Sequence, residues 1–154
     1  MQQPRTAHAF APAAEPRSEA RLRYRGFWIR VAAYIVDAII LGIAAAIIER
    51  VLPPTIGALV ALVVYWVYFA GMESSAVQAT LGKMTCGIAV ADARGRRISF
   101  ARASGRTFAK ILSSLTLGIG YLMVAWTRRK QGLHDFIAGT VVIDADQAHG
   151  ATPE

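Results

Sequence analysis

The run "GFWIRVAAYIVDAIILGIAAAII", Gly26 to Ile48, is 23 residues of nearly unbroken apolar sequence. A helix of about 20 apolar residues spans the hydrocarbon core of a bilayer, so the run is long enough to cross a membrane. The run nevertheless carries Arg30 and Asp37. An ionised carboxylate near mid-bilayer costs about 2.5–3.5 kcal/mol if it faces lipid, so Asp37 is expected to face protein or water. Arg30 lies near one end, where its guanidinium either reaches the interface along its own stem or is buried in an ion pair. Seven residues separate the two charges. They share a helical face with Ala33 and Ala44, but roughly 10.5 Å of rise keeps them from pairing with each other. Ala38, Gly42 and Ala46 recur every four residues beside that face, the spacing on which a second helix packs closely.

A second apolar run, Ile56 to Met72, follows the link "ERVLPPT", whose Pro53 and Pro54 end the first helix and turn the chain. Tyr65, Trp66, Tyr68 and Phe69 gather toward its far end, where an aromatic belt meets lipid headgroups. The two runs read as a transmembrane helical hairpin. Residues 1–25, rich in Ala, Pro and Arg and without periodicity, read as a disordered basic tail. Arg21, Arg23 and Arg25 stand directly before the first run, which by the positive-inside rule makes the tail cytoplasmic. A cleaved signal peptide is disfavoured, because its apolar core runs only about 7–15 residues. With 55% hydrophobic residues the chain is too apolar for an ordinary soluble domain, and its net charge of +7 sits beside apolar segments as a topology signal rather than as a nucleic-acid face. Cys86 is alone, so no intrachain disulfide forms.

The polar, basic region from Glu73 to Arg106 is expected on the cytoplasmic side. Within it "GIAVADARGRRISF" alternates around a turn-like "ARGR" and reads as a hairpin with strands near 87–92 and 97–100. "GTVVIDA" near the end has the same texture, Val142 and Asp144 echoing Val90 and Asp92. A small three-stranded cytoplasmic sheet follows, the alternative being unpaired extended segments. The third apolar run, Phe108 to Trp126, has basic residues on both flanks. A single crossing leaves one flank on the wrong side, whereas a break at Gly118 and Gly120 makes two half-helices that enter and return. The alternative is one ordinary spanning helix with the C-terminus outside. The fold class is therefore a mainly α, polytopic membrane protein: a hairpin, a re-entrant or spanning third segment and a small β element. The membrane domain covers 26–144, with 145–154 a disordered tail.

Arg30 and Asp37, "QATLGKMTCGIAVAD" after the second run, and "LHDFIAGTVVI" near the end together resemble the RDD family of small membrane proteins. That resemblance covers about Tyr24 to Asp144, and the Arg and two Asp of the family's name fall on Arg30, Asp37 and Asp135. It implies an integral, usually bacterial, membrane protein whose biochemical role is largely unassigned, with transport often suggested.

The remaining motifs narrow the chemistry. "TLGKMT" is no phosphate loop, since Val77 and Met84 stand where that motif needs Gly and Ser or Thr. Lys83 reads instead as a cation able to meet lipid phosphate or a carboxylate such as Asp135. His134 beside Asp135 is either a proton relay or a cap next to a surface histidine. No metal-ligand spacing and no Ser-His-Asp or paired-carboxylate set is recognisable, so no catalysis, cofactor or metal is expected. Two function classes remain. In one, Asp37, Arg30 and Asp135, supported by Lys83 and His134, form a cation or proton path, which so small a chain encloses only as a homo-oligomer. In the other, the charges are ion pairs that hold a non-catalytic membrane scaffold or assembly factor together. Both place a multi-pass protein in the cell membrane, a bacterial inner membrane, with a cytoplasmic N-terminus.

Overall fold

The computed structural model describes residues 22–115 and 119–149. Helix α1 (Phe27–Val51) and helix α2 (Pro54–Glu73) form the expected hairpin. The Leu52 amide closes α1 on the Ile48 carbonyl, and Pro54 opens α2 at a position whose missing N–H would have had no helical partner. Ile35, Ile39, Ile43 and Ile47 on α1 and Leu59, Leu62 and Val63 on α2 are each more than half exposed. Soluble chains do not leave so continuous an apolar surface in water, and both helices are long and apolar enough to cross a membrane.

The inward side of α1 is set by Ala33 and Asp37, both 1% exposed. Each residue step turns a helix by about 100°, so Ala38, Gly42 and Ala46 point elsewhere. They are exposed, and a Cβ added at Gly42 would meet nothing within 4 Å. Among the described residues the stripe therefore meets no second helix at Gly42. The hairpin packs through Gly57 of α2, whose added Cβ would lie 3.7 Å from the Glu49 backbone.

After α2 come a short helix α3 (Leu81–Thr85) and strand β1 (Ile88–Asp92). Strand β1 pairs antiparallel with β2 (Thr140–Asp144), Val90 opposite Val142. Ile88, Val90 and Val142 face Ala33, Ala70, Ile98 and Ala103, while Ala89, Ala91, Val141 and Ile143 face Leu22, Tyr24 and Ala148. Burial of both faces explains why the strands read as apolar runs.

The expected strand at 97–100 does not form. The Asp92 amide bonds back to the Arg96 carbonyl, its carboxylate accepts the Arg94 and Arg96 amides, and Ser99 then leads into helix α4 (Phe100–Leu115). The third position in the sheet is taken by Tyr24, bridged to Ile143, with the Arg25 amide donating to Val142. Leu22 to Arg25, assigned by sequence to the disordered tail, thus lie against β2, while residues 1–21 fall outside the described residues. Helix α7 (Ala145–His149) likewise replaces the start of the expected C-terminal tail, because Ala148 is buried on the sheet and the Arg23 amide donates to Gln147.

The third apolar run is not one helix. Helix α4 starts upstream of it, and helix α5 (Ile119–Leu122) continues into a 3-10 turn at Met123–Ala125. The Tyr121 hydroxyl donates to the Lys110 carbonyl at 3.0 Å. In a continuous helix those residues would be roughly 16 Å apart along the axis, so the chain reverses between them. Gly118, one of the two expected break points, lies outside the described residues. Gly120, the other, packs where a Cβ would come 2.9 Å from the Ser113 Cβ. Helix α6 (Leu133–Ala138) then ends at Gly139, whose φ of 62° turns the chain directly into β2.

Candidate functional site

Asp37 is held by uncharged donors. Its Oδ1 accepts from Tyr68 Oη at 2.7 Å and from the Gly82 amide at 2.7 Å, and its Oδ2 accepts from Thr80 Oγ1 at 2.6 Å. Tyr68 Oη in turn accepts the Leu81 amide. The "TLG" segment that leads into α3 is therefore docked on α1 through this carboxylate. Two small residues permit the approach: Ala33 on α1 and Gly82 on α3, where any Cβ would fall 2.0 Å from the Ala33 carbonyl oxygen. Of the two surroundings expected for Asp37, protein or water, it has protein, and hydrogen bonds satisfy the buried carboxylate.

A second, ionic assembly lies beside it. Glu73, the last residue of α2, and Asp135 in the first turn of α6 are both 0% exposed. Arg106 of α4 joins them. Its Nη1 reaches Glu73 Oε2 at 2.5 Å, and its Nε and Nη2 reach Asp135 Oδ1 at 2.8 and 2.7 Å. Arg30 completes the other side of Asp135, donating Nη1 to Oδ2, and its Nη2 and Nε bond the Lys130 and Arg25 carbonyls. Lys83 pairs with Glu73 Oε1, and Lys110 lies 3.5 Å from the same oxygen with its ammonium 3.7 Å from the Phe69 ring centre. Of the two positions the sequence allowed Arg30, at the interface or in a buried ion pair, the structure has the ion pair, with Asp135. Lys83 also meets a carboxylate, but it is Glu73 rather than Asp135.

Burial and charge set the protonation states outside the helical hairpin. Burial alone would raise Asp135, but Arg106 and Arg30 outweigh it and hold the carboxyl well below the usual range. Burial pushes the Lys83 ammonium down to about 7, with Glu73 opposing and Arg106 and Lys110 adding to the shift. His134 is driven down to about 3 by burial, against the pull of Asp135, with Arg106, Lys110 and Arg30 also lowering it. It is neutral at physiological pH, its Nδ1 3.4 Å from Ser113 Oγ and its Nε2 3.5 Å from Asp135.

Both assemblies border one cavity of about 350 Å³. Asp37, Arg30, Lys83 and His134 line it together with Arg106 and Lys110, and Phe27, Val31, Tyr34, Phe69 and Val124 supply apolar walls. Asp135 stands behind Arg30 and Arg106 rather than on the cavity surface. Among the described residues no group of three or more His, Cys, Asp or Glu is arranged to hold a metal ion. Glu73, Arg106 and Lys110 escaped sequence reasoning, since the first two looked like charges flanking an apolar run and Lys110 like a stray charge at the start of one. The signal that could have found Glu73 is its place directly after "YFAGM", an acid where the positive-inside pattern has no use for one.

The chain has clear relatives. It is 32% identical over 145 residues to the uncharacterized protein YxaI of Bacillus subtilis (strain 168), covering 77% of this chain and 95% of that one. It is 32% identical over 139 residues to the uncharacterized membrane protein YteJ of the same organism, covering 78% and 80%. No solved structure matches at a significant level. The RDD family model matches residues 24–139, which carry Arg30, Asp37, Lys83 and Asp135 in the arrangement just described. This chain belongs to the RDD family.

Proposed function

We propose that the protein is a non-catalytic membrane scaffold of the cell membrane, in which buried ion pairs clamp a compact β-containing cap to a transmembrane hairpin. The observation that carries this reading is the Arg106 bridge. One guanidinium ties Glu73 at the end of α2 to Asp135 at the start of α6, and Arg30 ties the same Asp135 to α1. Four helices, α1, α2, α4 and α6, are locked by one charge network, and Asp37 docks α3 as well through Thr80 and the Gly82 amide. Carboxylates with both oxygens engaged serve assembly well and mobile cations poorly. In this reading the cap and the tails are cytoplasmic, α4 and α5 form a re-entrant pair, and the exposed helix faces meet lipid or further copies in a homo-oligomer.

A second reading keeps transport of a cation or proton. It draws on the position of Asp37 and His134 on a common cavity wall. Replacing Asp37 by Asn and assaying the purified protein in proteoliposomes separates the two. Loss of assembly, read by size-exclusion chromatography with light scattering, supports the scaffold. Cation or proton flux in the wild type that disappears in a well-assembled Asp37→Asn protein supports transport. Topology is read by an Asp146→Cys substitution in a Cys86→Ala background, probed with a membrane-impermeant maleimide on intact cells. Labelling only after permeabilisation is expected, and labelling from outside overturns the cytoplasmic cap.

A further inference from the structure

We infer that the cavity between α1, α4 and the α5–α6 region is a binding site for a phosphate-bearing anion, with the phosphate at its cationic end and an apolar portion along its other wall. The first ground is charge. Among the described residues Arg30, Lys83, Arg106 and Lys110 meet one another around only two carboxylates, Glu73 and Asp135. Counting Asp37 as well leaves four cations to three anions. Unbalanced charge removed from water is costly unless a counter-ion joins it or a group gives up its proton.

The second ground is direction. The four cations all line the cavity, whereas Glu73 and Asp135 do not, so the positive side of each pair is presented inward. Asp37 also lines it, but both its oxygens are engaged by Tyr68, Thr80 and Gly82.

Donor supply is the third. A guanidinium carries five N–H groups. Arg30 places three of these on the Arg25 and Lys130 carbonyls and Asp135, and Arg106 places three on Glu73 and Asp135. Among the described residues each keeps two, and Lys83 donates to Glu73 alone. Guanidinium forks flanked by ammonium groups match phosphate oxygens in geometry as well as charge.

Size and texture agree. About 350 Å³ falls within the span typical of small-ligand sites. Phe27, Val31 and Val124 offer a wall suited to an acyl or glycerol portion, which points to an amphiphile such as an anionic phospholipid headgroup, with a free phosphate ester as the other source of the same chemistry. Burial lowers Lys83, and a bound phosphate dianion would reverse that shift. The inference does not depend on whether the protein scaffolds or transports.

The test uses the full chain in a neutral maltoside detergent, with thermal stability and calorimetric binding as readouts. Three probes are compared: inorganic phosphate against chloride at equal ionic strength, short-chain phosphatidylglycerol, and a diacylglycerol of the same chain length. Saturable binding of phosphatidylglycerol but not diacylglycerol is expected, and Lys110→Gln should weaken it by roughly tenfold or more, the scale of one charge-assisted contact. Lys110→Arg should largely restore it. Binding of phosphatidylglycerol alone identifies a lipid headgroup as the source, and binding of inorganic phosphate with no gain from the lipid identifies a free phosphate. Val31→Phe, which narrows the apolar wall and keeps every charge, should weaken the lipid and spare inorganic phosphate. The inference is overturned if the wild-type chain binds neither phosphate probe above its control, an outcome that needs no variant to fold. It is equally overturned if a folded Lys110→Gln protein binds both as the wild type does.

Discussion

Replacing Gly82 by Ala should unseat α3 from α1. The new Cβ would lie 2.0 Å from the Ala33 carbonyl oxygen, 2.8 Å from Asp37 Cγ and 2.9 Å from Asp37 Oδ1. The first of these is main chain in the middle of a long helix and has nowhere to go. Real Cβ contacts essentially never fall under 3.0 Å and ordinary ones start at 3.4 Å, so α3 must lift by at least the first difference. The Gly82 amide now sits 2.7 Å from Asp37 Oδ1, and the same displacement carries it out of hydrogen-bond range. Loss of a hydrogen bond to a charged group costs about 1.5–3 kcal/mol. Overpacking adds about 1–3 kcal/mol, and the combined effect rivals a large share of a small domain's stability of about 5–15 kcal/mol. The assay is reversible unfolding in mixed micelles followed by tryptophan fluorescence. Gly42→Ala serves as the control, since its Cβ would meet open space in a helix interior and should leave stability equal or slightly higher. If Gly82→Ala unfolds within about 0.5 kcal/mol of the wild type, the close approach is not what Asp37 depends on, and the docking account fails.

Three further outcomes follow from the same contacts. Arg106→Met should destabilise by about 3–5 kcal/mol, because Glu73 and Asp135 lose their shared cation while remaining buried; a change under about 1 kcal/mol in the same unfolding assay would contradict the bridge. For His134 the folded pKa of about 3 lies below the ordinary 6.5, so its neutral form contributes stability above 6.5 that is lost as the pH falls from 6.5 toward 3; nitrogen chemical shifts should show no titration between pH 8 and 5, and His134→Gln should flatten the acid limb. A chain beginning at Glu19 should insert and fold normally, whereas one beginning at Gly26 loses the Tyr24 bridge and the Arg25–Asp144 pair, and protease sensitivity near β2 should rise.

The hairpin was legible because two signals coincide there: apolar length sets the helices, and Pro53 and Pro54 mark the joint. Asp37 was legible as a buried group because lipid offers it nothing. Its partners were not, since Thr80 and Gly82 read as part of a failed nucleotide motif and gave no hint of close approach. Arg106 shows the deeper difficulty. A positive-inside reading treats every arginine on a flank alike, yet Arg102 is exposed and Arg106, one helical turn on, is 2% exposed between two carboxylates. Only the placement of α4 across the end of α2 tells them apart. The echo between "AVAD" and "VVID" did locate a true pairing, Val90 with Val142. The missing third strand was misassigned because alternation over 97–100 also serves the approach to a helix, and because Tyr24 supplies its edge contact from a region that looked unstructured.

The separation in sequence between the partners of the ion network orders its assembly in time. Arg30 and Asp135 are 105 residues apart, and Glu73 waits 33 residues for Arg106. During synthesis α1 and α2 are therefore complete before Asp135 and Arg106 exist. A hairpin that crosses the membrane as proposed enters with those charges at the interface and draws them inward only when α4 and α6 arrive. Strand β2, the last to emerge, then closes the sheet against β1 from the opposite end of the domain. A chain cut short before α6 would thus keep its greasy helices yet lack the counter-charge that lets them settle, so quality control acting on unpaired membrane charges would see every truncated copy as unfinished.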